Sequence, residues 1–216
     1  MKVYTHYLNK NGIEYRWRTI LQIGNSWDVC GTIFMKNPGS SKNQDSSPLA
    51  IDDKSILEHL RKFDDTKDLS SYGWYEFSID NTMACVESLF KAYYEEKNKP
   101  LNGVIQIFNL FNIRDANLRK ALDKLKGNVV EDLAYTTDYD INHIDTPVYI
   151  GWGYLWRNHI LNKDANAIFN AVKQKTAYLN DVIQKNKFYH PQYLMVYGKN
   201  REKCKEDLNS FITRGL

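Results

Sequence analysis

The chain has 216 residues, of which 43% are hydrophobic, 25% charged and 13% aromatic, and its 29 basic and 26 acidic side chains leave a formal charge of +3. This composition is that of a folded chain and excludes disorder, collagen and disulfide scaffolds. No run of about 18 apolar residues occurs, so no membrane-spanning helix is expected, and the opening MKVYTHYLNKNGIEYRW lacks the apolar core of a secretory signal.

Val3 to Leu8 and Ile13 to Ile23 read as a β-hairpin around Asn9-Lys10-Asn11-Gly12. The apolar run Val29–Met35 suits a strand covered on both faces and stops at the turn cluster Lys36-Asn37-Pro38-Gly39-Ser40-Ser41. Residues 40–53 read as loop, Ile56 to Phe63 as a short helix, and Tyr72 to Ile79 as strand or loop. Asp80 or Asn81 can cap a helix that carries Val86, Leu89, Phe90 and Tyr93 on one face. Gly103 to Phe108 predicts a second buried strand ending at Asn109, and Asp115 can cap a helix that Gly127 closes. Pro147 to Gly153 predicts a third strand and its turn, 164–184 a long helix, Phe188 to Val196 a fourth core strand, and Cys204 to Ile212 a terminal helix.

Apolar runs alternating with amphipathic helices indicate βαβ units. The expected fold class is α/β: one domain over 1–216, a three-layer α/β/α arrangement around a mostly parallel four-stranded sheet, with an antiparallel N-terminal hairpin. Cys30, Cys85 and Cys204 are scattered, which fits a reducing cytoplasm and offers no zinc pattern. Residues 52–80 carry eight acids and four bases, whereas 185–216 carry seven bases and three acids. A basic end can meet phosphates, or it can be a solvated helix face.

Ligands of open α/β sheets bind beyond the carboxyl ends of strands. Those ends are Asn37-Pro38-Gly39, Asn109-Leu110-Phe111, Trp152-Gly153 and His190-Pro191. No phosphate-binding loop, dinucleotide fingerprint, nucleophile elbow or zinc-protease motif occurs.

In this order, IFMKNPGSS (33–41), GVIQIFNLFNIRDA (103–116), PVYIGWGYLW (147–156) and HPQYLMVYG (190–198) resemble the uracil-DNA glycosylase superfamily, and the Asn-Pro-Gly segment resembles its mismatch-specific branch. The chain is also similar to a poorly characterised bacterial family with Asn-Pro, Asn-Leu-Phe and Trp-Gly motifs. The resemblance implies hydrolysis of an N-glycosidic bond in DNA, with the nucleotide flipped from the duplex into a pocket. It implies no cofactor or metal, and a monomeric, cytoplasmic protein that meets DNA and no membrane.

The same resemblance implies the roles. Asn37 would orient the attacking water, with Asp45 as an alternative carboxylate. Asn109 would read the base edge, with Asn112 as its neighbour and competitor. His190 would donate to the base oxygen where negative charge builds. Pro38 and Gly39 would border the base; Gly39 stands where the common uracil enzyme has a Tyr that blocks thymine's methyl group, so a 5-modified pyrimidine can enter, such as a base of modified phage DNA. Phe77 would stack on the base, with Trp74 and Tyr75 as rivals. Ser40, Ser41, Lys199 and Arg201 would meet phosphates, and Leu194 would wedge into the duplex. Gln192 and Tyr193 depart from the family's usual Ser and Pro. Two other readings stay open: an inactive nucleic-acid- or nucleotide-binding member of the fold, and a small-molecule hydrolase using the same crevice.

Overall fold

The computed structural model describes residues 1–44, 48, 73–155, 159–175, 188–195 and 208–213. The N-terminal hairpin forms from β1 (Lys2–Lys10) and β2 (Ile13–Ile23), paired antiparallel. Asn11 and Gly12 take φ of 56° and 76° at its turn, the left-handed pair that matches the twist of a two-residue hairpin. A bulge interrupts the ladder: Tyr4 faces Ile20 while His6 faces Trp17, so Arg18 and Thr19 together oppose Thr5. Arg18 adopts φ 50° there, and its buried Nε meets Asp140 Oδ1 at 2.6 Å.

Four further strands complete the sheet: β3 (Val29–Met35), β4 (Trp74–Glu76), β5 (Gly103–Asn109) and β6 (Val148–Ile150). Their order is β4-β1-β2-β5-β3-β6. β5, β3 and β6 run parallel, and β2 joins them antiparallel through β5. The molecule is thus mixed α/β with a six-stranded mixed sheet. All seven residues of β5 are buried, which accounts for its unbroken apolar run.

Helix α1 (Asn81–Glu96) is capped by Asp80, whose side chain accepts from Met83 N–H, and it buries Met83, Cys85, Val86, Leu89, Phe90 and Tyr93. It lies close to the sheet: a β-carbon on Gly31 (φ +150°) would stand 2.4 Å from the Phe90 ring. Phe211, in the helical stretch 208–213, is fully buried among Phe90, Tyr93 and Tyr149. Helix α2 spans Leu118–Leu125, α3 Glu131–Ala134, α4 Asp138–Asn142, α5 His159–Val172 and α6 Pro191–Met195.

Two expectations are corrected. The cap of α2 is Asn117, and Asp115 instead accepts the Asn117 N–H. The fourth core strand expected over 188–196 is not formed by the described residues 188–195: Phe188 makes a single bridge to Gly153, and Pro191 opens α6. Proline's fixed φ and missing N–H suit the first position of a helix and cannot serve a strand interior. The parallel part of the sheet therefore has three strands among the described residues. The expected helix at 56–63, and Cys204, lie outside the described residues.

Candidate functional site

The parallel strands β5, β3 and β6 stop in step, and backbone bonds continue beyond them. Leu110 N–H donates to Met35 O at 2.9 Å and Phe111 N–H to Lys36 O at 3.2 Å. These bonds hold the segment after β3 beside the segment after β5. Asn37 follows β3, and its Nδ2 donates to Pro38 O at 3.0 Å and to Asp115 O at 3.2 Å. Two carbonyl acceptors fix the amide's orientation and leave Oδ1 with no protein donor.

Asn109 closes β5. It is 2% exposed, its backbone carbonyl accepts from the Thr136 hydroxyl, and its side-chain amide makes no hydrogen bond to the protein. The amide lines the cleft, where water or a ligand can meet it. The competitor Asn112 is differently placed. Its Nδ2 donates to Leu133 O at 3.1 Å and its backbone pairs with Arg16 and Ala134.

His190 sits against the turn after β6. The Phe188–Gly153 bridge, the Trp152–Phe188 ring contact and the Tyr149 hydroxyl on Tyr189 O fix its approach. Gln192 N–H points at Nδ1 at 3.3 Å, so Nδ1 is the acceptor and the neutral ring carries its proton on Nε2. Burial, with help from the Lys36 charge, pushes His190 down to about 4, and Asp80 opposes this only in part. The imidazole is therefore neutral at pH 7.

Asn37, Asn109 and His190 line one cleft of about 190 Å³, together with Gly39, Arg16, Met35, Ile107, Asp80, Thr82, Met83, Asp115, Ala116, Leu118 and Gln192. A second hollow of about 440 Å³ shares Asn37, Ala116, Leu118, His190 and Gln192 with it, and adds Lys36, Trp152, Gly153, Tyr154 and Tyr193. Tyr154 and Tyr193 are 50% and 43% exposed, so this outer hollow is rimmed by aromatic faces. Lys36 reaches across it to Tyr154 O at 2.9 Å.

Several sequence expectations land elsewhere. Phe77 is 1% exposed and does not line the cleft; the Arg16 guanidinium covers its ring at 5.5 Å. Its rivals Trp74 and Tyr75 lie on edge strand β4, packed against His6 and Tyr7. Pro38 is buried and does not line the cleft. Ser41 spends its hydroxyl on Ser78 O at 2.5 Å, while Ser40 stays exposed and gives its carbonyl to Arg114. Leu194 is fully buried on α6, which packs against α1, so in this structure it is a core residue and no wedge. The exposed apolar side chain of that segment is Tyr193. Asp45, Lys199 and Arg201 lie outside the described residues.

Three charged cleft residues, Arg16, Asp80 and Asp115, are not legible as site residues in the sequence. Arg16 stands within β2, which reads as scaffold, and Asp80 reads as a helix cap. The signal for Arg16 was present: two arginines at alternate positions flanking Trp17 in the strand IEYRWRTILQI, of which Arg18 finds Asp140.

No family model, curated protein or solved structure matches the chain.

Proposed function

We propose that the cleft holds a nucleobase and that the protein hydrolyses the N-glycosidic bond between that base and its sugar. The reading rests on one observation above the rest: Asn109, buried and unpartnered, shares a base-sized cleft with Asn37 and a neutral His190. An unused amide offers one donor and one acceptor side by side, which suits the edge of a pyrimidine. Asn37 Oδ1 would hold the attacking water. As the water oxygen bonds to C1′ and the C1′–N bond breaks, the electron pair passes to the base. His190 Nε2–H would donate to the base oxygen where that charge gathers. The aromatic rim of the outer hollow would receive the neighbouring nucleotides, since stacking on Tyr faces needs no particular sequence. With Gly39 at the cleft wall, a 5-substituted pyrimidine in DNA is the first substrate to try.

The burial of Leu194 favours a second reading, a hydrolase of free nucleosides or nucleotides in the same cleft, because the side chain expected to wedge into a duplex is packed in the core.

Both readings meet one experiment. Purified protein is incubated with duplexes carrying uracil, mismatched thymine, or hydroxymethylated or glucosylated cytosine, and in parallel with the corresponding nucleosides. Base release from a duplex, reduced on the order of 100-fold in Asn109→Ala, supports the first reading. Release from nucleosides alone selects the second, and no release from either set removes both.

A further inference from the structure

We infer that Asp80 is the carboxylate of this site, taking the proton of the attacking water and facing the positive charge that develops on the sugar, with Arg16 held apart from it for the departing base. The inference rests on the glycosidic reading above.

Hydrolysis needs a proton acceptor for the water, and Asn37 cannot be one, because an amide orients a water without taking its proton. Two carboxylates line the cleft, Asp80 and Asp115. Asp115 is committed: Oδ1 accepts from Asn117 N–H at 2.9 Å and Oδ2 from Lys124 Nζ at 2.9 Å. Asp80 is half committed. Its Oδ1 accepts from Met83 N–H at 2.9 Å, whereas Oδ2 accepts no hydrogen bond. That free oxygen stands 3.4 Å from where a β-carbon on Gly39 would lie. The missing side chain at Gly39 thus leaves the oxygen uncovered, beside the strand end that carries Asn37.

Arg16 supplies the independent observation. Its guanidinium is buried and lines the same cleft, and its Nε and Nη1 have no hydrogen-bond partner. It makes no ion pair with Asp80 among the described residues, although the Asp80 charge acts on it. Opposite charges on one small buried cleft gain most by pairing, and a buried charge left unpaired is costly. A pair kept apart suits an occupant that is itself polarised. Breaking a glycosidic bond produces that polarity, cationic at the sugar and anionic at the base, and fixed charges of opposite sign on the two sides stabilise it. In the balanced step the water oxygen bonds to C1′, its proton passes to Asp80 Oδ2, and the C1′–N electron pair leaves with the base.

Asp80→Asn tests this cleanly, since Asn caps a helix as well as Asp does and the fold is retained. The expected result is base release slowed on the order of 100-fold or more, with DNA affinity and thermal midpoint close to wild type. A variant as fast as wild type overturns the assignment. A second measurement needs no turnover: binding to duplexes holding a pyrrolidine abasic analogue, which is cationic, or its neutral tetrahydrofuran counterpart. The wild-type protein should prefer the cation about tenfold or more, and Asp80→Asn should lose that preference. Equal binding by the wild type overturns the role of Asp80 even where base release is observed. Failure of all base release removes the proposed function instead, and the cation preference still decides Asp80 by itself.

Discussion

His190 makes stability depend on pH in a way that can be worked out in advance. In the unfolded chain its imidazole titrates at its ordinary value of about 6.5, whereas in the folded protein burial and Lys36 hold it at about 4. Above pH 6.5 both states are neutral and the group contributes no pH dependence. As pH falls through 6.5 the unfolded chain takes up a proton that the folded chain refuses, so stability is lost until both are charged below about 4. The linkage amounts to about 2 kcal/mol at pH 5 and approaches about 3 kcal/mol below pH 4. The perturbation is His190→Asn, which removes the titration and keeps an oxygen where Nδ1 accepts the Gln192 N–H. Urea unfolding at pH 8 and pH 5 measures both proteins. The wild type should lose about 2 kcal/mol more than the variant over that interval. Equal losses would show that His190 is not held neutral, and the assignment of Nδ1 as acceptor of the Gln192 N–H at low pH would go with it.

Two further outcomes follow from side chains that support the cleft. Asp140→Asn keeps the oxygen that caps α4 but leaves the buried Arg18 charge without its counter-ion, and should cost about 3–5 kcal/mol in chemical denaturation; a cost below about 1 kcal/mol would mean the pair does not hold the bulge. Arg114→Ala releases the carbonyls of Ser40 and Ser41 together with Glu14, so amide hydrogen exchange across 39–42 should quicken by an amount matching about 1–3 kcal/mol. Unchanged exchange there would place the loop's rigidity elsewhere.

The parts of this fold legible in the sequence are those where one local rule acts alone. The left-handed turn at Asn11-Gly12, the all-buried run of β5 and the Asp80 cap each follow from a few neighbouring residues. The ends of β3 and β5 were legible for the same reason, and with them Asn37 and Asn109; His190 meets them in one cleft from the start of α6 and not from the end of a strand. The errors fall where two rules compete. Tyr193-Leu194-Met195 has the apolar density of a strand, but Pro191 two residues earlier starts a helix, and the turn of that helix buries Leu194 and exposes Tyr193. Phe77 has the chemistry of a stacking platform, but it sits beneath Arg16.

Arg16 and Asp80 were illegible for a different reason. A capping Asp is fully explained by the helix it starts, and nothing in its neighbourhood shows that only one oxygen is used. An Arg within a hairpin strand is explained equally well as a surface residue. Their meeting at one cleft depends on β2, the loop after β3 and the start of α1 coming together in space, and on Gly39 having no side chain to cover Oδ2. What singles them out is a shortfall in three dimensions: polar atoms placed in a confined space with capacity unspent. Asn109, Asn37 Oδ1, Asp80 Oδ2 and the Arg16 Nε and Nη1 share that shortfall on one cleft, whereas Asp115 and Arg18, of the same residue types as two of them, meet partners within the protein. Folding alone accounts for the second group; the first gains its hydrogen bonds from water or from a polar occupant of the cleft.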